Sequence, residues 1–357
     1  MKNTVYLLTG AAGFLGSTIS SQLIAQNKAV RALVLKGDPS IKQVPEEADI
    51  VSGNILDIGS LEEFFRVPGD TEVIVIHCAS MVTVSPELSE KLYAVNVTGT
   101  KNIVEACIRH KVKKLVFISS TQAIPELPHG KVIREAYSFD DPCLVSGGYG
   151  QTKAAATRLV LKAVWEYGLD ASIVFPGNIS GPNDFENGLF TNFIINYVNG
   201  KIPAGIAGSF NTVDVRDLAE GVIACTEKGR KGEGYIMCNN AVSMRDLLSL
   251  LSRNTGVREV KHILPAFAAR VIAVISSLVS FFTKTPGLLT SFAVYNLTRN
   301  NVFSCEKAKR ELGFRTRPIE ETIRDMAVWL YNSGQIDITV EAGSEPGQNK
   351  ILAGTAA

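Results

Sequence analysis

The sequence lacks an excess of charge of either sign, since its 36 basic and 35 acidic residues leave a formal net charge of +1. A nearly neutral chain has no broad electrostatic attraction for polyanions, so we expect no nucleic-acid partner. The densest basic run, at 109–114, follows a predicted helix. We interpret that run as solvated charge at a helix end rather than as an anion-binding site.

The sequence is also poor in metal and disulfide signatures. Its six cysteines lie at positions 78, 107, 143, 225, 238 and 305. They form no C-x-x-C pair and no cysteine–histidine spacing typical of a metal site, so we predict no bound metal. Free thiols in apolar runs behave as small hydrophobic residues and fit a reducing compartment. Because no signal-peptide pattern precedes the first strand, we expect a cytoplasmic protein.

Long apolar runs are scarce. The stretch VIAVISSLVSFF at 271–282 is uncharged, but Arg270 and Lys284 bracket it closely. A membrane-spanning helix needs about 20 apolar residues, so we predict no transmembrane segment. We interpret the stretch as a buried or lid helix, and contact with a membrane surface stays open as the alternative.

Short apolar runs alternate with helical patterns through the first half of the chain. The strand candidates are 5–8, 30–35, 73–76, 115–118 and 171–175. Near-continuous apolar strands separated by helices indicate a parallel sheet that is covered on both faces. The sequence therefore predicts an α/β fold, with a doubly wound Rossmann-type parallel sheet and a smaller, mainly helical C-terminal substrate cap.

This pattern also suggests a division into domains. We assign 1–177 to the dinucleotide-binding domain, and 213–238 returns to it. The substrate-binding cap comprises 178–212 and 239–331, where proline, glycine and helical patterns replace the strand rhythm. The polar, glycine-rich stretch 332–357 is predicted to be a flexible tail.

A glycine-rich turn, TGAAGFLG at 9–16, joins the first strand to the first helix. Glycine permits the tight turn, the close approach of a pyrophosphate and the close packing of helix on strand. The helix start then offers unpaired N–H groups to the phosphates. The predicted dinucleotide contacts in this turn are Gly10, Ala12, Gly13, Phe14, Leu15 and Gly16.

The ends of the next two strands predict the adenosine contacts. An acidic residue after the second strand selects NAD, whereas a basic residue accepts the 2′-phosphate of NADP. Leu35 occupies the acidic position and Lys36 follows it, which favours NADP. Asp38 keeps NAD open if the loop folds back, and a solvated lysine is the alternative for Lys36. Asn54 and Ile55 are expected near the adenine.

The fourth strand ends in His77 and a loop of small residues. We interpret His77 as a buried, hydrogen-bonded structural group rather than a catalytic one. The loop residues Cys78, Ala79 and Ser80 are predicted cofactor contacts.

Tyr149 and Lys153 stand four residues apart in YGQTK, within a predicted helix. Positions i and i+4 share a helix face, so both side chains point into the same space. An idle surface pair would have the same spacing, and the rest of the chain has to decide between the two interpretations.

The ordered set of motifs resembles the extended short-chain dehydrogenase/reductase family from Lys2 to about Tyr331. The motifs are TGAAGFLG at 9–16, VIHCAS at 75–80, NVTGT at 96–100, FISST at 117–121, YGQTK at 149–153, FPGNISGP at 175–182 and VDVRDLA at 213–219. The stretches VRALVLKGDP and NVFSCEKAKRELGF are most similar to the branch of dihydroflavonol reductases and 3β-hydroxysteroid dehydrogenases.

The resemblance implies a catalytic trio of Ser120, Tyr149 and Lys153, with Thr121 as the rival if the register slips by one. It also implies that Lys153 holds the nicotinamide ribose. Further cofactor contacts implied in the same way are Asn96, Pro176, Asn178 and Ile179. For Asn96, a helical asparagine bonded to backbone is an equal alternative.

The sequence departs from the family pattern at three places. Phe175 stands where arginine is frequent, and Asn54 where aspartate is usual. Family dehydratases carry an Asp-Glu pair directly after the catalytic Ser/Thr, but here Thr121 and Gln122 occupy those positions. This argues against sugar dehydration.

We therefore expect an NAD(P)-dependent oxidoreductase that interconverts a ketone and a secondary alcohol. Lys153 is expected to lower the pKa of Tyr149, which then moves the proton while the cofactor moves hydride. Ser120 would hold the reacting oxygen. A hydrophobic, steroid- or flavonoid-like substrate is suggested by Phe185, Phe190, Phe281 and Phe282, although core packing explains these rings equally well.

Two other functions stay open. A nucleotide-sugar epimerase with tightly bound NAD would need cap cations such as Arg253, Arg270 or Arg299 for a substrate diphosphate. A non-catalytic nucleotide sensor of this fold would usually lack the Tyr-Lys pair. The expected partner is a small-molecule substrate, and a homodimer is an open alternative.

Overall fold

The computed structural model describes residues 3–83, 85–136, 138–141, 144–283, 291–337, 339–341 and 350–352. Within these ranges, only the backbone is described for 275–283, 339–341 and 350–352.

Fourteen strands form four sheets in this part of the chain. The strands are β1 (Thr4–Thr9), β2 (Ala29–Val34), β3 (Asp49–Ser52), β4 (Glu72–His77), β5 (Lys114–Ile118), β6 (Ala171–Pro176), β7 (Asn178–Ser180), β8 (Gly205–Ile206), β9 (Ser209–Asp214), β10 (Gly234–Met237), β11 (Ala241–Ser243), β12 (Ile263–Leu264), β13 (Thr339–Glu341) and β14 (Lys350–Leu352). The largest sheet is parallel and has seven strands in the order β10-β6-β5-β4-β1-β2-β3.

Helices alternate with these strands. They are α1 (Phe14–Ala25), α2 (Ile58–Phe65), α3 (Glu90–Tyr93), α4 (Gly99–Arg109), α5 (Gly148–Tyr167), α6 (Leu189–Val198), α7 (Val215–Lys228), α8 (Met244–Thr255), α9 (Ala266–Thr283), α10 (Ser291–Thr298), α11 (Glu306–Leu312) and α12 (Ile319–Asn332). Short 3₁₀ segments cover Pro39–Gln43 and Thr121–Ala123, and a π-helical turn covers Ala94–Thr98.

Both faces of the large sheet are buried under helices. One apolar core joins the strands to α2, α4 and α5, through side chains such as Phe64 and Ile103. The other core joins them to α1, α7 and α11, through side chains such as Ile19 and Leu218. The predicted doubly wound Rossmann-type sheet is therefore confirmed, and the helix-covered faces explain why its strands are almost continuously apolar.

The C-terminal region forms a separate, mainly helical apolar core. Side chains of α6, α8 and α12 pack there, including Ile194, Leu248 and Met326. Strands β7, β9 and β11 form a small sheet. Helix α7 and strand β10 lie with the large sheet, within the range 213–238. The proposed limits of the two domains stay a prediction.

The stretch 332–357 differs in part from the flexible tail that the sequence predicted. Helix α12 runs to Asn332, and β13 pairs with β14 in an antiparallel arrangement. Strand β14 also contacts α8. Its apolar residues Ile351 and Leu352 were outweighed in the prediction by the polar and glycine-rich composition around them. Residues 338, 342–349 and 353–357 lie outside the described part.

The apolar stretch 271–282 lies within α9. Ala269 and Ala273 are buried, whereas Phe267 and Val274 are exposed, so the described half of this helix buries one face only. The side chains of 275–282, including Phe281 and Phe282, lie outside the described residues. No helix in the described part of the chain is both long enough and apolar enough to cross a membrane.

A buried ion-pair network fastens α7 to the cap helix α12. The carboxylate of Asp214 accepts hydrogen bonds from the backbone N–H and the guanidinium of Arg216. The hydroxyl of Thr322 donates to the same carboxylate, and Arg216 also pairs with Asp325. Burial acts to raise the pKa of Asp214, but these hydrogen bonds outweigh it and leave the pKa below its usual value.

We predict that Asp214→Asn lowers the free energy of unfolding at pH 7 by about 3 kcal/mol, because it breaks a buried, hydrogen-bonded charge pair. Urea unfolding measures this difference. The carboxylate contributes stability above its unfolded pKa of about 4 and loses it as the pH falls through the lower folded pKa. The difference in free energy of unfolding between wild type and Asp214→Asn should therefore become smaller below about pH 4.

The matched control is Asp49→Asn, which breaks the more exposed pair with Arg31. We expect that change to cost less than about 1 kcal/mol. Equal losses for the two variants would contradict the importance given to Asp214.

Candidate active site

The predicted site residues gather at one edge of the large sheet, where its parallel strands end. The residues that follow β1 are Gly10, Ala12, Gly13, Phe14, Leu15 and Gly16. Those that follow the next strands are Leu35 and Lys36 after β2, Asn54 and Ile55 after β3, Cys78, Ala79 and Ser80 after β4, and Ser120 after β5. Pro176 ends β6, Asn178 and Ile179 lie in β7, Asn96 lies in the π-helical turn, and Tyr149 and Lys153 lie on α5. The strand order runs outward in both directions from β4 and β1, and such a reversal opens a crevice that binds ligands.

The glycine turn is shaped by close backbone contacts. Gly10 has a φ of +67°, and a β-carbon there would lie 2.7 Å from the nitrogen of Ala79. A β-carbon on Gly16 would lie 2.0 Å from the carbonyl oxygen of Gly10. For Gly13 the only such neighbour in the described residues is that same oxygen, at 3.4 Å. Gly10 and Gly16 are thus required by packing, whereas Gly13 keeps an open side.

Helix α1 starts at this turn without a side-chain cap on its first N–H groups. The positive end of the helix dipole and its N–H groups therefore face the open side of Gly13. This arrangement fits the pyrophosphate of a dinucleotide, which Gly13 would let approach the main chain and the N–H groups of Phe14, Leu15 and Gly16 would bind.

The loop after β2 carries the residues that the sequence predicted to contact the adenosine. Leu35 and Lys36 are exposed. The carboxylate of Asp38 accepts a hydrogen bond of 2.9 Å from the N–H of Ser40, and so caps the 3₁₀ segment. That carboxylate is thus engaged within its own loop.

The loop after β3 is closed by its own side chains. The Asn54 Oδ1 atom accepts a 2.9 Å hydrogen bond from the N–H of Leu56 and keeps a second lone pair free for a ligand. Ile55 is buried, and its side chain fills the space above Gly99. Ile55 therefore supports the loop by packing.

Tyr149 lies at the centre of the crevice. It is 8% exposed, and the side chains of Ser120 and Ser80 lie beside its hydroxyl. The Oγ of Ser120 also accepts a 3.1 Å hydrogen bond from the N–H of Gln122, so this serine caps local backbone as well. Of the two residues weighed from the sequence, the structure brings Ser120 rather than Thr121 to the tyrosine.

Lys153 is buried on the same face of α5. Its ammonium group donates a 2.7 Å hydrogen bond to the carbonyl oxygen of Ile118, at the end of β5, and lies 5.3 Å from the centre of the Phe117 ring. Burial lowers the pKa of Lys153 to about 7. The amine therefore changes charge near neutral pH, far below the usual range of a lysine.

The pKa of Tyr149 contradicts the expectation drawn from the sequence. Burial raises it to about 12, although the neighbouring side chains of Ser120 and Ser80 act to lower it. The sequence predicted a lowered value, because a cation four residues away should favour the phenolate. That argument omitted the loss of water from both groups, and desolvation disfavours the charged form of each.

His77 is a structural residue, as predicted. It is 1% exposed, and its two ring nitrogens are hydrogen-bonded to the hydroxyls of Thr9 and Thr100. Burial, together with the charge of Lys153, lowers the pKa of His77 to about 3. A neutral imidazole in this place fastens β4 to β1 and α4.

Asn96 holds the loop after β4. Its Oδ1 accepts from the N–H of Met81 and the hydroxyl of Ser80, and its Nδ2 donates to the carbonyl of Met81 and to Thr152. These four bonds use the full capacity of the amide. The side chain therefore positions Ser80 and bonds to backbone, as the alternative from the sequence had it, and its contact with the cofactor stays a prediction.

Asn96 owes this position to a π-helical turn at Ala94–Thr98. This turn lies between α3 and α4 and interrupts the regular α-helix there. The extra residue of a π turn redirects a side chain, and such turns often occur at functional sites.

Two contacts of the site were missed from the sequence. Ser80, whose predicted contact with the cofactor stays a prediction, lies beside the hydroxyl of Tyr149. The ring of Phe292 fills the space above Gly147, two residues before the tyrosine, and stacks on Tyr295. No local pattern signals these contacts, because each depends on residues far apart in the chain. The described residues contain no group of three or more potential metal ligands.

Residues 6–268 match the family model described as the NAD dependent epimerase/dehydratase family. The match covers more than half of the chain, which therefore belongs to this family of extended short-chain dehydrogenases/reductases and is an oxidoreductase enzyme. The prediction of the family is confirmed. Its homologues include dihydroflavonol reductase-like and 3β-hydroxysteroid dehydrogenase-like proteins.

Two curated relatives span almost all of the chain. The sterol demethylase protein B of Methylococcus capsulatus is 26% identical over 92% of this chain and 99% of its own length. The 4-hydroxy-2-methyl-3-oxo-4-farnesyl-3,4-dihydroquinoline-1-oxide ketoreductase of Stigmatella aurantiaca is 28% identical over 87% of this chain and 91% of its own.

Solved structures share the fold over the same length. The structure named gox2253 has a TM-score of 0.81 and 27% identity, and covers 93% of this chain and 99% of that chain. The UDP-glucose 4-epimerase of Thermus thermophilus in complex with NAD has a TM-score of 0.71 and 22% identity, and covers 92% of this chain and 99% of that chain.

The low pKa of Lys153 predicts a pH-dependent stability. Between about pH 7 and the unfolded value of about 10.4, the unfolded chain binds more protons at this lysine, so wild-type stability rises with pH. Lys153→Met removes this linkage. We expect the difference in free energy of unfolding, wild type minus Lys153→Met, to increase by at most about 1.4 kcal/mol for each pH unit in this range.

Urea unfolding of both proteins at pH 7, 8, 9 and 10 measures the gain. Lys101→Met, at an exposed site on α4, controls for the general effect of losing a lysine. If the free energies of unfolding of wild type and Lys153→Met depended on pH in the same way, burial would not lower the pKa of Lys153.

Proposed function

We propose that this enzyme reduces the ketone group of a hydrophobic substrate to a secondary alcohol, with NADPH as the preferred cofactor. The observation that carries the proposal is the buried Tyr149 on the same helix face as the buried Lys153, with the side chains of Ser120 and Ser80 beside its hydroxyl. This is a proton donor with two supporting hydroxyls in a crevice that fits a dinucleotide.

The residues of the site divide the work as follows. When bound, the nicotinamide cofactor supplies the hydride. Tyr149 gives its hydroxyl proton to the ketone oxygen, which becomes the alcohol oxygen. Ser120 donates a hydrogen bond to the same oxygen and stabilises the negative charge that develops there. Ser80 keeps the tyrosine hydroxyl aimed, and Asn96 holds Ser80 in place.

The pKa of Tyr149 supports reduction as the proposed direction. At a pKa of about 12, the phenol keeps its proton at neutral pH, which suits a general acid. Oxidation of an alcohol would require the phenolate as base. Lys153 can favour that state only while its own amine is charged, which its pKa of about 7 limits to the acidic side of neutrality.

The cofactor preference rests on the loop after β2. An exposed Lys36 follows the strand, and the nearby carboxylate of Asp38 caps the 3₁₀ segment. A cation here suits the 2′-phosphate of NADP, whereas NAD needs a free acid for the ribose 2′-hydroxyl. The family is NAD-dependent as a whole, and Lys36 is the residue in this chain that would shift the preference.

The substrate class rests on aromatic surroundings and on the relatives. Phe292 and Tyr295 stack beside the start of α5, and Phe185 is half exposed on the segment expected to close over the substrate. Phe190 is buried in the cap core and supports packing alone. Two relatives are named for a sterol and for a farnesylated quinoline, both largely apolar.

The cap arginines give little support to the alternative of a nucleotide-sugar epimerase. Arg253 and Arg270 are exposed on separate helices, α8 and α9. Arg299 is buried near Glu126, at 3.9 Å. A substrate diphosphate would need cations that converge in the crevice.

We predict that Tyr149→Phe lowers kcat for ketone reduction by about a hundred- to ten-thousand-fold, because it removes the proton donor. The affinity for NADPH, measured by fluorescence titration, should stay near that of wild type. Tyr167→Phe, at an exposed position on the same helix, is the matched control and should retain full turnover. Undiminished turnover of Tyr149→Phe would remove the assigned acid.

We predict that Lys36→Ala weakens the binding of NADPH by about ten- to a hundredfold and leaves NADH nearly unchanged, because it removes a charge-assisted hydrogen bond to the 2′-phosphate. Parallel titrations of the two cofactors against the apoprotein measure this. Equal losses for both cofactors, or tighter binding of NADH by wild type, would refute the NADP preference. Retention of bound NAD through purification would favour the epimerase.

A further inference from the structure

One face of the described half of α9 exposes large apolar side chains. Phe267 is 79% exposed, Val271 44% and Val274 53%. These residues stand four and three positions apart, so they share one face of the helix. The face turned to the protein carries Ala269 and Ala273, which are completely buried. A surface helix normally buries its large apolar side chains, so the orientation of α9 is the reverse of the usual one. A contiguous exposed apolar patch of this kind marks an interaction surface.

The charge around this face has one sign. Arg270 is exposed on the same side of α9, one turn before Val274, and Lys261 is exposed shortly before the helix. The sequence contains no aspartate or glutamate from 260 to 305. Basic residues beside an apolar helix face are attracted to the anionic headgroups of a bilayer, whose surface potential is negative. The charge therefore favours a lipid surface as the occupant of this face.

The dimensions of α9 fit a helix that lies along the surface of a bilayer. It has 18 residues, whereas a helix that crosses a bilayer needs about 20 apolar residues, and Arg270 stands in its first half. An interfacial helix buries one apolar face to the depth of the headgroups and keeps its basic side chains in the headgroup layer. The three exposed apolar side chains and Arg270 are distributed in this way.

Helix α9 also lies next to an element that contacts the site. It packs against α10, whose Phe292 fills the space above Gly147, two residues before Tyr149. A bilayer in contact with α9 would therefore lie one helix away from the start of α5. Because apolar compounds dissolve in bilayers, this placement suits the hydrophobic substrate that we propose, but the docking of α9 does not depend on the identity of the substrate.

We propose that the outer face of α9, formed by Phe267, Val271 and Val274 with Arg270 beside them, docks on the surface of an anionic lipid bilayer. The three apolar side chains enter the boundary between headgroups and acyl chains, and the guanidinium of Arg270 stays with the lipid phosphates. Salt weakens the docking, because it screens the attraction between the basic residues and the headgroups.

Sedimentation of the full-length protein with vesicles measures the docking. One set of vesicles contains phosphatidylcholine alone, and the other contains phosphatidylcholine and phosphatidylserine. We expect the protein to sediment with the anionic vesicles, to bind the neutral ones at least about tenfold more weakly, and to lose binding at high salt. Failure to sediment with the anionic vesicles, or equal binding to both kinds, would contradict the proposal. The assay contains no substrate and no cofactor, so its result is independent of the proposed reaction.

Substitutions identify the face that binds. Phe267→Ser should weaken binding to the anionic vesicles by about tenfold or more, because it removes the largest apolar side chain of the face. Arg270→Gln should weaken it by about fivefold. The matched control is Trp165→Ser, which removes an aromatic side chain that is 68% exposed on α5 and should leave binding unchanged. Circular dichroism checks that the variants fold. Equal binding of Phe267→Ser and wild type, or an equal loss in Trp165→Ser, would refute the assignment to α9.

Two further measurements distinguish a bilayer from a second copy of the chain. Phe267→Trp should add fluorescence that brominated lipids quench, relative to wild type with the same vesicles, because the ring enters the acyl boundary. Analytical ultracentrifugation without vesicles should give the same association state for Phe267→Ser and wild type. Absence of quenching, or a wild-type dimer that Phe267→Ser dissociates, would overturn the proposal.

Discussion

The hydrogen bond from the Lys153 amine to the carbonyl of Ile118 is the contact on which the site depends. It docks α5 against the end of β5 and brings Tyr149, one turn earlier, to Ser120 and Ser80. The same contact takes a lysine out of water, and desolvation favours its neutral form. Position and protonation state are therefore set together, because both follow from the burial of one side chain.

Around this contact, residues with no part in the proposed proton transfer position the residues that are proposed to take part. The side-chain amide of Asn96 makes all of its hydrogen bonds to the loop of Ser80 and to Thr152. His77, neutral and buried between two threonines, joins the strands beneath that loop. Such fully bonded polar groups in a low-dielectric interior are costly to disturb, so we expect them to keep the hydroxyls of the proposed site in a single arrangement.

The fold could be predicted from the sequence because its signals are local. Apolar runs such as 73–76 and 115–118 became β4 and β5 within a residue at each end, since strands covered on both faces contain few polar residues. The π-helical turn at Ala94–Thr98 and the strands at 339–341 and 350–352 could not be predicted in this way. Each is stabilised by packing against elements that are distant in sequence.

The sequence by itself determined the family, the Rossmann-type sheet, the glycine turn and the shared helix face of Tyr149 and Lys153, because strand periodicity, glycine spacing and helical pitch are properties of neighbouring residues. Only the tertiary structure decided that the pKa of Tyr149 lies above its usual value and that Ser80 lies beside its hydroxyl. These properties depend on burial and on contacts between residues that are far apart in the chain. The desolvation that shifts a pKa cannot be read from the amino-acid sequence alone.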